Sequence, residues 1–218
     1  MEKRKYPRVN LSKEQFRLDE NGKIYGVIDL SQKGMSIKVL DPEADLLYFS
    51  IMRELTGMIN IDREKYPVTV VVKNAQTYRI GFEFKELPLK TAKAIEEFLS
   101  PKRLGEELRP MHHEKGLIWL HAASSTDVLV EDQKYFSIFV HNSFVQWNHK
   151  LGLRTGQIEA SDEDYAEPLS PVRLETLLLE PDPIADYTKV KLAQELIHHS
   201  AMDDAIKSWI LSELKSIS

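Results

Sequence analysis

Apolar and polar positions alternate through much of the first hundred residues. Met35, Ile37 and Val39 interleave with Ser36 and Lys38, the two-residue period of a half-buried strand. Further strands are expected at 15–18, 23–28, 57–61, 67–72 and 78–84, with Glu20-Asn21-Gly22 as a turn. The last two strands read as a hairpin through Asn74-Ala75-Gln76, and Gly81 marks a bulge or close packing in its second arm. Asp41-Pro42-Glu43 breaks the strand before it, and 46–55 suits a short helix or a strand equally. From Leu89 to Leu99 the period changes. Leu89, Ala92, Ile95, Phe98 and Leu99 fall on one side of a helix. Several antiparallel strands closed by one helix imply a small barrel.

The second half has a different rhythm. Pro101 to Pro110 is charged and carries a glycine and two prolines, as a junction between domains would. Short strand-like runs follow at 117–120, 128–130, 135–140 and 144–147, spaced as an antiparallel meander. Residues 159–170 are acidic and read as a loop. Ser170-Pro171 suits a helix start, with Leu174, Leu177 and Leu178 as its apolar stripe and Pro181 and Pro183 as its stop. Two more helices are expected over 186–199 and 202–217. The pattern therefore predicts a barrel at 1–100, a junction at 101–110 and an α+β domain at 111–218.

Composition narrows the partners. The chain has 218 residues, 42% of them hydrophobic, enough for an ordinary core in each half. It has no cysteine, which removes disulfides, thiolate metal sites and thiol nucleophiles. No apolar run reaches the ~18 residues that span a bilayer, and no basic-then-apolar leader opens the sequence, so a cytoplasmic protein is expected. The net charge of −5 is unevenly spread: the first 100 residues carry +2 and the rest −7. An acidic second half argues against a nucleic-acid binder. The densest positive cluster is Lys3, Arg4, Lys5 and Arg8, suited to a small, highly charged anion.

Two short motifs bear on what that anion is. The first is Arg4-Lys5-Tyr6-Pro7-Arg8, with arginines four apart on a segment that Pro7 biases towards an extended arm. The second is Asp29-Leu30-Ser31-Gln32-Lys33-Gly34, between two expected strands. Asp29 and Ser31 can bond nearby backbone or a ligand, and Gly34 suits a position with φ > 0. Arg-x-x-x-Arg followed by Asp-x-Ser-x-x-Gly resembles the PilZ family of cyclic di-GMP receptors. The Arg-Ile-Gly-Phe-Glu-Phe strand (79–84) leading into the closing helix also resembles the end of a PilZ barrel.

The resemblance covers about residues 1–100 and implies a six-stranded antiparallel barrel with a C-terminal helix. It assigns cyclic di-GMP binding to Arg4, Arg8, Asp29, Ser31 and Gly34, with Lys3 and Lys5 as further contacts. An arginine fork matches phosphate oxygens and also guanine O6 and N7. Asp29 would accept from guanine N–H donors, so Asp29→Ala is expected to weaken recognition and leave the fold intact. Lys3 stands where family members often have arginine, and lysine lacks the planar fork. The resemblance further implies a bacterial effector of motility or biofilm. The second domain, which the resemblance does not cover, is expected to serve output or assembly through a protein partner or self-association. Its last two helices have apolar faces that suit packing on each other or on a partner.

Other candidates carry less. Glu195-Leu196-Ile197-His198 has the spacing of di-iron helices, but no second such pair accompanies it. His112-His113 and His198-His199 point adjacent rings in different directions. Trp119, Trp147, Tyr135 and Phe139 suit a core better than a base-stacking platform. No metal, resident cofactor, membrane span or catalytic motif is expected, and the chain is not expected to be an enzyme. Two alternatives stay open: a ligand-independent interaction module with a degenerate barrel, and an enzyme with its site in 111–218 controlled by the barrel.

Overall fold

The computed structural model describes residues 9–10, 14–111, 116–122, 126–159 and 178–215. They form two compact units, Met1–Leu99 and Ser100–Ser218.

In the first unit, strands β1 (Val9–Asn10), β2 (Gln15–Leu18), β3 (Ile24–Ser31) and β4 (Gly34–Lys38) precede a short helix, α1 (Pro42–Tyr48). Strands β5 (Glu54–Ile61), β6 (Glu64–Gln76) and β7 (Arg79–Glu86) follow, and helix α2 (Leu89–Phe98) ends the unit. The pairing runs β3-β2-β5-β6-β7-β4, and β4 pairs back onto β3, so six antiparallel strands close a barrel. β1 joins the edge of β3 through Val9↔Leu30 and Asn10↔Asp29. Closure removes free sheet edges. It also gives each strand an inner and an outer row. Leu30, Met35 and Phe82 lie side by side across three strands in the interior, as do Val27, Ile37 and Ile80. Ile95 and Phe98 of α2 complete this core.

Two local expectations change. Asp41-Pro42-Glu43 starts α1: Asp41 caps it by accepting from the Ala44 amide, and Pro42 occupies the first turn, where no N–H is needed. Buried Asp45 anchors the helix, accepting from the Tyr25 hydroxyl at 2.9 Å and from the amides of Leu40 and Asp41. Burial pushes its pKa up, but these hydrogen bonds, with the charge of Lys23, bring it below the ordinary value. Asn74-Ala75-Gln76 is not a turn. These residues pair with Gly81, Ile80 and Arg79, and the chain reverses at Thr77-Tyr78.

The second unit is a seven-stranded antiparallel sheet in unbroken reverse order. Its strands are β8 (Arg109–Pro110), β9 (Leu117–Ala122), β10 (Thr126–Glu131), β11 (Tyr135–Val140), β12 (Ser143–Asn148), β13 (Gly152–Glu159) and β14 (Leu178–Pro181). Val128, Val130, Phe136, Ile138 and Val145 share a core with Val190, Ala193, Leu196 and Ile197 of helix α4 (Tyr187–His199) and with Ile210 and Leu214 of α5 (Asp204–Lys215). Trp147 lies in this core, edge-on to Trp209 at 5.5 Å. Trp119 instead donates its indole N–H to Asp127 at 2.8 Å, and His121 bonds the same carboxylate oxygen.

The stretch expected as a junction is built into this unit. Ser100 caps helix α3 (Pro101–Glu107), and Leu104 and Leu108 lie in the second core. Gly105 lets α3 approach α4, since a Cβ there would stand 2.3 Å from the Leu196 carbonyl oxygen. The helix expected from Ser170 lies outside the described residues up to 177. Leu178, assigned to its stripe, is in β14, which Pro181 ends. A buried network seats α4: Lys189 Nζ donates to both Asp182 oxygens at 2.9 and 2.7 Å, and Thr155 donates to Asp182 at 2.6 Å.

His141 opens the β11–β12 turn with φ 55°, a backbone region that bulky residues rarely adopt. Its ring is buried, its Nδ1 has no hydrogen-bond partner, and burial pushes its pKa down to about 4. An unfolded histidine titrates near 6.5. Between those values the unfolded chain binds more protons, so stability falls as pH falls through this window. Going from pH 7 to 5 should cost the second unit about 2 kcal/mol through this residue. Urea unfolding of wild type and His141→Asn at both pH values checks it: the loss should shrink by that amount in the variant, since asparagine tolerates the backbone.

Candidate ligand-binding site

The site candidates on the barrel follow from a break in register. β3 pairs with β4 through Val27↔Ile37 and then Asp29↔Ser36, which leaves Ile28 as an extra residue. Such a bulge re-aims the side chains beyond it. Past it, Leu30 enters the core while Asp29 and Ser31 fall in the other row, with Ser36 and Gly34 directly opposite. On the next strand Gly81 and Glu83 continue that row.

Gln32 and Lys33 make a two-residue reversal. Ser31 Oγ donates to the Gly34 carbonyl at 3.1 Å and accepts from the Lys33 amide at 3.3 Å, fastening the turn across its mouth. Gly34 does not take a positive φ here. Its smallness serves a close approach instead: an added Cβ would lie 2.1 Å from the Phe82 carbonyl oxygen. Any side chain at 34 would push β4 off β7 beside the turn.

Asp29 differs most from expectation. Its side chain is 1% exposed, and it forms a buried ion pair with Arg79 at the start of β7. Arg79 Nη2 donates to Asp29 Oδ2. Ser36 sits between them, accepting from Arg79 Nε at 3.0 Å and Nη2 at 2.6 Å and donating to the Asp29 carboxylate at 3.0 Å. Three strands are thus tied across one face by a carboxylate, a hydroxyl and a guanidinium. Neither Ser36 nor Arg79 was among the residues expected from the motifs. The available signals were Ser36 on the polar side of an alternating strand and Arg79 heading the Arg-Ile-Gly-Phe strand. Nothing local in the sequence says that the two meet Asp29.

Lys3, Arg4, Lys5 and Arg8 lie outside the described residues. The described chain resumes at Val9, directly after Arg8 in sequence, and β1 holds Val9 and Asn10 against Leu30 and Asp29. Among the described residues, no group of three or more His, Asp or Glu is placed to hold a metal ion, and no helix is long and apolar enough to cross a membrane.

A closed six-stranded barrel with an Asp-x-Ser-x-x-Gly turn and a buried polar cluster on its β3–β4–β7 face defines the architecture of the first unit. Residues 2–100 match the family model of the PilZ domain, so this unit is PilZ-like, and the match ends where the second unit begins. Among solved structures, the chain is similar to the inhibitor of motility MotI/DgrA of Bacillus subtilis, with 15% identity and a TM-score of 0.38. That alignment covers 45% of this chain and 49% of the other, so the chain matches about half of MotI/DgrA. It is also similar to the PilZ domain of YcgR from Escherichia coli, a structure with c-di-GMP, at 14% identity and a TM-score of 0.36. That alignment covers 44% of this chain and 87% of the other. No curated protein matches the chain.

The pair is buried, so removing either member takes charge-assisted hydrogen bonds from the other in a poorly solvated place, and breaking a buried ion pair costs about 3–5 kcal/mol. Asp29→Ala and Arg79→Ala should each destabilise the barrel by about that much, in contrast to the expectation that the fold would not notice Asp29→Ala. The double variant should cost less than the sum of the two. Urea unfolding of the four proteins checks this; strictly additive losses would show that the two charges are energetically independent.

Proposed function

We infer that the barrel unit is a cyclic di-GMP receptor and that the chain is a second-messenger effector. The observation that carries this reading is the convergence at β3: the turn bearing Asp29, Ser31 and Gly34 and the strand leaving Arg8 run along the same strand. The match of residues 2–100 to the PilZ domain supports it independently. In this reading Arg4 and Arg8 grip phosphate and guanine with their forks, assisted by the charges of Lys3 and Lys5. Ser31 and the Gly34 backbone form the floor of the site, and Asp29, 1% exposed in this structure, is uncovered on binding and becomes the acceptor for guanine N–H groups. The second unit, with its separate sheet and core, is the candidate for coupling the bound state to a protein partner or to a second copy of the chain.

Calorimetry with cyclic di-GMP tests the reading. Arg8→Ala should lose most of the affinity, because charge and fork go together, and Arg8→Lys should recover only part. Affinity unchanged in both Arg4→Ala and Arg8→Ala would contradict the proposed site.

A further inference from the structure

We propose that Arg79 is a positioning residue of the ligand site, holding Asp29 through Ser36 in the orientation that reads a guanine edge. The inference rests on the cyclic di-GMP reading above and deepens it.

A carboxylate turns about a broad, two-fold torsion, so by itself it presents its oxygens in many directions. Guanine offers two neighbouring N–H donors on its pairing edge. To meet both, the plane of the carboxylate must be set before the base arrives. The structure supplies the means. Ser36 donates to the Asp29 oxygens from directly opposite on β4, and Arg79 reaches one of them from β7. The same guanidinium holds the Ser36 hydroxyl through Nε and Nη2, so the serine proton is directed at Asp29. One planar fork thereby fixes both the carboxylate and the group that orients it.

The second contribution is charge. A ligand with two phosphates would be repelled by an uncompensated Asp29. Arg79 is 7% exposed and pairs with that carboxylate, so its positive charge offsets the negative charge of the acceptor. Lysine at 79 would keep the charge and lose the fork, since one ammonium lacks the fixed planar geometry that serves both partners. The two contributions can therefore be separated.

The test uses the full chain and two ligands: cyclic di-GMP, and its analogue with hypoxanthine in place of guanine, which lacks the exocyclic amine. Wild type should prefer cyclic di-GMP by about tenfold or more, the worth of one charge-assisted hydrogen bond. Arg79→Lys and Ser36→Ala should each bind cyclic di-GMP about tenfold more weakly and lose most of that preference, with circular dichroism showing both folded. A merely structural pair would weaken both ligands equally. A folded Arg79→Lys with wild-type affinity, or with equal losses for the two ligands, overturns the inference. If Arg79→Lys fails to fold, Ser36→Ala decides by the same criterion. A wild type that binds neither ligand overturns the cyclic di-GMP reading and this inference with it. A wild type that binds, is weakened by Arg8→Ala and is indifferent to both Arg79→Lys and Ser36→Ala overturns this inference alone.

Discussion

A buried charge must find an opposite charge, and the barrel's β3–β4–β7 face is arranged by that requirement. Asp29 and Arg79 are fifty positions apart, yet they share one contact, bridged by Ser36. Burying the pair stabilises little by itself, because desolvation offsets much of the attraction. Its consequence is geometric. The carboxylate of β3, the hydroxyl of β4 and the guanidinium of β7 bond one another in this register. The bulge at Ile28 that brings Asp29 opposite Ser36 is therefore part of the same constraint. The Ser31–Gly34 turn, two residues further on, inherits its position from that register.

Much of the barrel was legible because alternation is a local signal. Met35, Ile37 and Val39 announced β4, and Ile95 and Phe98 announced the inner side of the closing helix. Asp29, Ser31 and Gly34 were legible as a motif, but the physical parts they play were not. Gly34 is small because a neighbouring strand passes 2.1 Å from where a Cβ would be, and strand packing cannot be read from six residues. Arg79 was missed for a related reason: its bonds to Ser36 and Asp29 span 43 and 50 positions, and contacts at that range leave no spacing in the sequence. Asp41-Pro42 was read as a break because the same two residues that end a strand also cap and open a helix.

The second unit was less legible, and the reasons differ. Pro101 to Pro110 has the charges and prolines of a junction, but Leu104 and Leu108 supply core contacts and Gly105 a helix-packing contact. A short helix with one buried leucine, and a second at its C-cap, is hard to separate from a polar connection. The meander of short strands was read correctly in outline from its turn spacing. The Lys189–Asp182–Thr155 network joins distant stretches, as Arg79 does in the barrel. Both units place polar groups in their interiors, and those groups tie together elements that hydrophobic burial alone would leave free to slide.

The most direct test of the central claim, that the ligand is held where β1 meets the Asp29–Gly34 turn, is hydrogen exchange read by mass spectrometry with and without saturating cyclic di-GMP. Peptides spanning residues 3–9 and 29–34 should exchange more slowly with ligand, while those of the far barrel strands, such as β5, stay unchanged. Saturation with no slowing at 29–34, or with slowing confined to other strands, would contradict it.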